Sequence, residues 1–240
     1  MSVGRLYLVP NLLGVIAPDA VLPAHTIAIA RELRHVVAEN AKVARAFLKA
    51  IGTTAAIQSI DIVELAERTP AVEVEGMLAP ALAGSDVGLM SDAGCPAVAD
   101  PGARLVAAAH RAGVQVVPLV GPSALLLALM ASGMNGQGFS FHGYLPAKAE
   151  QRAAALRQVE ALARKTGATQ LFIETPYRNV AMLQSVLTVC GGDLLLAVAA
   201  DLTLAAEEIV MLPVGEWKAR DVQRYQNRPA IFLLGRAPAK

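Results

Sequence analysis

Ser91-Asp92-Ala93-Gly94-Cys95-Pro96-Ala97-Val98-Ala99-Asp100-Pro101-Gly102 is the stretch on which the fold of this chain turns. An apolar strand-like run over residues 86–90 precedes it and a helix-like run over residues 103–112 follows. It is therefore a strand-to-helix loop, the place where α/β proteins commonly carry ligands. Twelve residues is long for such a connection, because about 2–6 suffice and longer loops tend to be functional or disordered. Disorder does not fit the composition. Two prolines fix backbone angles, two glycines permit turns that other residues avoid, and two aspartates hold acceptors at fixed points. Asp100 ahead of Pro101 also reads as a cap followed by a first-turn proline, a structural role open to it beside a chemical one.

Outward from this loop, strand-like and helix-like runs alternate. A first strand over residues 5–10 ends in the loop Asn11-Leu12-Leu13-Gly14, and a helix covers residues 26–33. His35–Ala38 reads as a short strand and Ala41–Ile51 as an amphipathic helix closed by Gly52. Residues 57–65 fit either state, residues 74–83 read as a helix and residues 114–117 as a strand. This spacing predicts βαβ units and a largely parallel sheet. After Val120-Gly121-Pro122-Ser123 the pattern changes. Strands at residues 139–145 and 170–173 flank a long charged-faced helix at 148–165; a helix at 177–189 follows, then strands at 194–199, 208–213 and 230–234. No long helix separates the first two of those three strands, so a hairpin and a mixed sheet are expected. The expected architecture is α/β, with a largely parallel N-terminal domain over residues 1–119 and a mixed-sheet C-terminal domain over residues 120–240.

Hydrophobic residues make up 55% of the 240, and the mean hydropathy of +0.46 asks where so much apolar surface goes. A parallel sheet covered on both faces answers that, since its strands read as unbroken apolar runs. Membrane insertion is the rival explanation, because no Asp, Glu, Lys or Arg occurs between Arg111 and Lys148. Prolines and glycines cut that span, however, and leave residues 124–131 as its longest purely apolar helical piece. Eight residues do not cross a bilayer, which takes about 20, and a short helix apolar on all sides reads as a buried core helix. The first residues lack the long apolar core and cleavage site of a signal peptide, so the expected compartment is the cytoplasm, with no membrane partner. Cys95 and Cys190 make no disulfide framework, and His25, His35, His110 and His142 share no metal-ligand spacing, so no metal is expected. With 21 basic and 20 acidic residues there is no global field of the kind that grips nucleic acid; no DNA is expected, and an RNA would have to be held by a local basic rim.

No G-x-G-x-x-G follows the first strand, and G-x-x-x-x-G-K-[ST], H-E-x-x-H and G-x-S-x-G are absent. What remains is a set of short loops at strand ends, residues 9–14, 91–102, 120–124 and 174–178, which together suit one small-molecule cleft. Their order and content resemble the tetrapyrrole methylase superfamily: Ser91-Asp92-Ala93-Gly94-Cys95-Pro96 with Asp100-Pro101-Gly102, then Val117-Pro118-Leu119-Val120-Gly121-Pro122-Ser123-Ala124, Gly143-Tyr144-Leu145-Pro146 and Glu174-Thr175-Pro176-Tyr177-Arg178. Within it they most resemble the branch that includes the ribosomal small-subunit RNA 2′-O-ribose methyltransferases. The resemblance implies S-adenosylmethionine as cofactor, two α/β domains with the ligand cleft between them, and a homodimer. Carried over by position, it implies cofactor contacts from Pro10, from Ser91, Asp92, Ala93 and Gly94, and from Ser123 and Ala124. Thr175, Ala200, Leu202, Pro229, Ala230 and Ile231 would surround the adenine and close the cleft. Ser123 also reads as the N-cap of the apolar helix that follows it.

The chain departs from the ribosomal branch in places. Ala38-Glu39-Asn40-Ala41-Lys42 stands where the branch has Ala-Glu-Asp-Thr-Arg, and Ala200-Asp201-Leu202-Thr203-Leu204 where it has Arg-Glu-Leu-Thr-Lys. Cations lost there would weaken phosphate contacts with an RNA. The expected reaction is methyl transfer by in-line displacement, which needs mainly positioning. A base is needed only where the acceptor starts protonated, and Glu39, Asp100 and Glu174 are the candidates. Arg178, four residues beyond Glu174, either pairs with it or binds phosphate. Cys95 has no histidine near it in sequence, and the reaction needs no covalent step. Lys148, Arg152 and Arg157 form a basic helix face beside Tyr144, either an RNA rim or a solvated surface, and Trp217 and Tyr225 read as packing or dimer contacts. Three functions stay open: an RNA methyltransferase, a methyltransferase of a tetrapyrrole or other small molecule, and a catalytically silent paralogue that binds a nucleoside or a protein. A hydrolase using Asp92 and Asp100 would need the two carboxyls facing each other across a cleft.

Overall fold

Every residue of the strand ahead of the long loop, Val87–Met90, is buried, as a strand covered on both faces must be. It lies at the middle of a five-stranded parallel sheet in a computed structural model that describes residues 3–236. The residues fall into two compact units that divide between Ser123 and Ala124.

In the first unit, β1 (Arg5–Val9), β2 (His35–Ala38), β3 (Asp61–Glu64), β4 (Val87–Met90) and β5 (Gln115–Pro118) lie in the order β3-β2-β4-β1-β5. Alternate residues point to opposite faces. Tyr7, Val9, Val36, Ala38 and Met90 pack under α1 (Ala24–Glu32) and α2 (Ala41–Ile51), whereas Leu6, Val37, Val87 and Leu89 pack under α3 (Ala71–Gly76), α4 (Ala79–Leu82) and α5 (Ala103–Arg111). Gly88 admits Leu33 onto the first face, because a Cβ there would come within 2.6 Å of Leu33 Cδ1. The connection leaving β1 runs to one side of the sheet and that leaving β4 to the other, over opposite faces. The carboxyl ends of these neighbouring strands therefore form a topological switch point, where open α/β sheets bind ligands.

The second unit holds β6 (Phe139–Tyr144), β7 (Thr169–Ile173), β10 (Ala230–Gly235), β8 (Leu195–Ala200) and β9 (Glu208–Pro213), in that spatial order. Only the β6–β7 pair is parallel, so the sheet is mixed as expected. One face carries α7 (Ala149–Thr166), α8 (Asn179–Val189) and α9 (Val214–Trp217) over a core that includes Phe172 stacked on Phe232 at 5.5 Å, Trp217 and Tyr225. Trp217 and Tyr225 are therefore packing residues, and the indole nitrogen donates to Leu196 O at 2.9 Å.

Two expectations need correction, and one segment left open takes a definite form. Residues 74–83 are not one helix: α3 stops at Gly76, and α4 restarts with Pro80 in its first turn. Residues 57–65 hold a 3₁₀ turn, Ile57–Ser59, and then β3. The apolar helix α6 (Ala124–Ser132) is not buried all round, since Leu126 is 51% and Met130 79% exposed while Ala128 and Leu129 face the sheet. No helix among the described residues is long and apolar enough to cross a membrane.

Candidate functional site

At the switch point of the first unit, the loop after β1 clasps the loop after β4. Asn11 N donates to Gly94 O at 2.9 Å and Gly94 N returns the bond to Asn11 O at 3.2 Å. The Asn11 side chain, 4% exposed, donates to the carbonyls of Ser91 (3.1 Å) and Asp92 (3.2 Å). Gly94 sits at φ 71°, a region that disfavours a side chain. Pro10 packs against Gly121, where a Cβ would overlap its ring. Ser91 is buried and turns its hydroxyl onto the carbonyls of Ala93 and Gly94. Pro10, Ser91, Asp92, Ala93 and Gly94 thus gather around one clasp.

Asp100 has a structural role, but not the helix cap read from the sequence. Helix α5 begins at Ala103 with Gly102 as its N-cap, so Pro101 lies outside the first turn and Asp100 closes a turn within the loop instead. Its Oδ1 accepts from Ala97 N (2.9 Å) and Gly102 N (2.8 Å), closing an arch in which Ala97 and Ala99 take φ 65° and 63°. Left-handed alanines are strained, and such strain concentrates at functional sites. Asp100 Oδ2 is buried with no partner among the described residues.

Glu39, at the end of β2, is drawn into the same acidic field. Burial pushes its carboxyl above the usual range, and the charges of Asp92 and Asp100 push it further, opposed by the Asp92 backbone N–H. Asp92 is raised as well, by burial first and then by Asp100 and Glu64. Its neighbours have other work: Asn40 caps α2 by accepting from Lys42 N at 2.9 Å, and Glu64 accepts from Ala41 N at 2.8 Å. Burial also raises the Cys95 thiol, whose Sγ lies 3.6 Å from Pro122 O, which argues against a thiolate there.

In the second unit, the expected residues lie at one sheet edge. Ala200 pairs with Ala230 and Ile231 with Ile173, so the ends of β7 and β8 and the start of β10 meet there, bringing Glu174, Thr175, Ala200, Leu202, Pro229, Ala230 and Ile231 to one edge. Glu174 pairs with Arg178 at 2.7 Å and its side chain is 0% exposed. Oε1 takes all the donors, Thr175 N at 2.7 Å and Arg178 among them, while Oε2 is buried and unpaired among the described residues. Beyond β8, Asp201 and Thr203 take φ 51° and 72°, and Thr203 Oγ1 is likewise buried and unpaired. Ser123 and Ala124 stand on either side of the divide between the units.

Three residues that hold these loops escaped the sequence reading. Asn11 makes the clasp; fully buried Asn179 donates to Arg228 O at 2.6 Å; and Arg228 binds Asp201 and Glu208. Each joins segments far apart in the chain. Conversely, Arg152 is no part of a basic rim: it is buried and donates to Ser185 Oγ and Ala147 O, both at 2.9 Å, leaving Lys148 and Arg157 exposed. Among the described residues, no group of three or more His, Cys, Asp or Glu side chains is placed to hold a metal ion.

A family model, Tetrapyrrole (Corrin/Porphyrin) Methylases, matches residues 19–218. The chain belongs to the tetrapyrrole methylases. It is a methyltransferase of that family, and its relatives agree. The Ribosomal RNA small subunit methyltransferase I of Escherichia coli O157:H7 is 31% identical to it over 237 residues, 98% of this chain and 79% of that one. The protein of the same name from Mycobacterium bovis is 36% identical over 241 residues, covering 99% and 80%. The one from Vibrio cholerae is 40% identical over 157 residues, 64% of this methylase and only 53% of the relative, so the match spans about half of that protein's length. Among solved structures, the methyltransferase CobJ superposes with a TM-score of 0.66 at 18% identity, covering 99% of this chain and 96% of the other. The uroporphyrin-III-C-methyltransferase of Thermus thermophilus gives 0.56, also at 18%. At that identity the two structures share the methylase fold.

Proposed function

We propose that this methylase transfers a methyl group from S-adenosylmethionine to an RNA of the small ribosomal subunit. The observation that carries the acceptor is identity of 31% and 36% across almost the whole chain with relatives named for that RNA, against 18% for the tetrapyrrole enzymes. Losing two branch cations, where Ala200 and Leu204 now stand, is what favours the second reading, a small-molecule acceptor. The same proposal includes a homodimer in the cytoplasm.

The residues present suit this cofactor. In the first unit Asp100 Oδ2, and in the second Glu174 Oε2 and Thr203 Oγ1, are buried with no partner among the described residues, and buried polar atoms normally have one. A nucleoside with ribose hydroxyls, an adenine amine and an α-amino group brings such donors. Within the first unit the cofactor contacts we assign are Pro10, Ser91, Asp92, Ala93, Gly94 and Ser123; within the second they are Ala124, Thr175, Ala200, Leu202, Pro229, Ala230 and Ile231. When bound it supplies a methyl group already activated by a sulfonium.

What the chain must add is position and a proton acceptor. Rigid loops hold reactants near attack geometry, an effect worth about 7–11 kcal/mol. A ribose hydroxyl starts protonated, and Glu39 is the base we assign. Asp100 Oδ1 is committed to two backbone donors and Glu174 Oε1 to Arg178 and Thr175, whereas burial, with Asp92 and Asp100, raises the Glu39 carboxyl above its ordinary value, so that it holds a proton more readily. Calorimetric titration with S-adenosylmethionine and S-adenosylhomocysteine tests the reading. Micromolar binding of both is expected; no heat from either at millimolar concentration would remove methyl transfer and leave a silent paralogue.

A further inference from the structure

We propose that Tyr144 and Tyr177 form a stacking platform for unpaired bases of the acceptor RNA, with Arg178 and Lys148 as its cationic flank. The proposal rests on the RNA reading above and adds the surface that grips the substrate. Aromatic residues are only 4% of this chain, and the described phenylalanines of the strand pair β7–β10, like Trp217 and Tyr225, are buried. Tyr177 and Tyr144 are the most exposed of the described aromatics, at 63% and 57%.

Their placement is shared. Tyr144 ends β6 and pairs with Ile173, which ends the neighbouring parallel strand β7; Tyr177 follows four residues later, in the 3₁₀ turn Pro176–Arg178. Both rings therefore stand at the carboxyl edge of one parallel strand pair, the edge that also carries Glu174 and Thr175. Phe139, the other exposed aromatic of β6, lies at the opposite end of that strand.

Tyr177 is held ready rather than loose. Arg178 N donates to Thr175 O at 2.8 Å, and Gln226 Nε2 donates to Tyr177 O at 3.0 Å. The Arg178 guanidinium lies 5.4 Å from the ring centroid and is itself anchored on the buried Glu174 carboxylate. A base stacked on the remaining exposed area of this ring would join a preformed cation–aromatic pair without further ordering of the protein. Lys148, four residues beyond Tyr144, is exposed and adds a second cation for the phosphates. RNA reading relies on splayed bases stacked on aromatic rings and arginine planes, which this edge offers and a folded small-molecule pocket does not require.

The test uses the full chain, a fluorescent unstructured RNA oligonucleotide and small ribosomal subunits. Tyr144→Ala and Tyr177→Ala should each weaken oligonucleotide binding and raise the KM for subunits on the order of 5- to 150-fold, with kcat and S-adenosylmethionine affinity little changed. Tyr→Phe at either position should restore binding, and Tyr→Leu, which keeps apolar bulk without a π face, should not. Wild-type KM and binding in both alanine variants, or full rescue by leucine, would overturn the platform while RNA methylation by the unaltered protein still stood. Label from the unaltered protein in small molecules but never in RNA would instead overturn the RNA reading, and the platform with it.

Discussion

Arg228 donates from Nε to Asp201 Oδ2 at 2.6 Å, fastening the strained turn after β8 to the segment that enters β10. The same guanidinium reaches Glu208 Oε2 at 3.0 Å and Ala206 O at 2.7 Å, and it lies over the Tyr225 ring. Lysine cannot reproduce that planar fork. Arg228→Lys should cost about 1.5–3 kcal/mol in urea unfolding, the range for hydrogen bonds to charged groups, and should loosen the residues 200–203 proposed to hold adenine.

Asn11 plays the corresponding part in the first unit. Asn11→Ala leaves the buried carbonyl of Ser91 and the partly buried carbonyl of Asp92 without their donor and should destabilise by about 1–3 kcal/mol. Because residues 91–94 depend on it, calorimetry should show weaker S-adenosylmethionine binding than the stability loss by itself would give.

Ala99 points the other way. At φ 63° an alanine bears about 1–2 kcal/mol of left-handed strain, while glycine there forfeits about 0.4–1 kcal/mol through a more flexible unfolded chain. Ala99→Gly should therefore gain about 0.5–1 kcal/mol, seen as a higher urea midpoint at unchanged slope. If the arch serves catalysis, kcat should fall in the same variant.

Glu39 ties stability to pH with a definite sign. Its carboxyl is raised in the folded protein, first by burial and then by Asp92 and Asp100, so the folded state binds the proton more tightly than the unfolded one. Stability therefore declines as pH rises from the ordinary carboxylate value through the raised one, and the ionised form remains unfavourable above it. Glu39→Gln should raise the melting temperature at neutral pH and flatten its pH dependence in that window. Methyl transfer should drop by roughly 10²–10⁴, with cofactor binding retained.

Local signals made some of this legible in the sequence. His35–Ala38 and Ala41–Ile51 appear with the bounds read from sequence, because Asn40 and Gly52 (φ 72°) punctuate the helix chemically. The Glu174–Arg178 pair follows from an i, i+4 spacing. Arg152 carried a signal that was passed over: it shares the 3.6-residue face of Leu156, Val159 and Ala163, all buried. Asn11, Asn179 and Arg228 carried none, since their partners lie 80, 49 and 27 residues away and only the folded topology joins them. For α6, apolar residues on every side conceal which side meets the sheet, so Leu126 and Met130 could not be told from Ala128 and Leu129.

Methyl transfer to RNA is most directly measured with S-adenosylmethionine labelled in its methyl group, added with the purified protein to an extract of cells lacking the gene, and followed by separation of RNA, protein and small molecules. Label is predicted in RNA of the small ribosomal subunit, on a ribose oxygen, and absent when Glu39→Gln replaces the unaltered chain. Label confined to the protein or small-molecule fraction, or found in none, would contradict it.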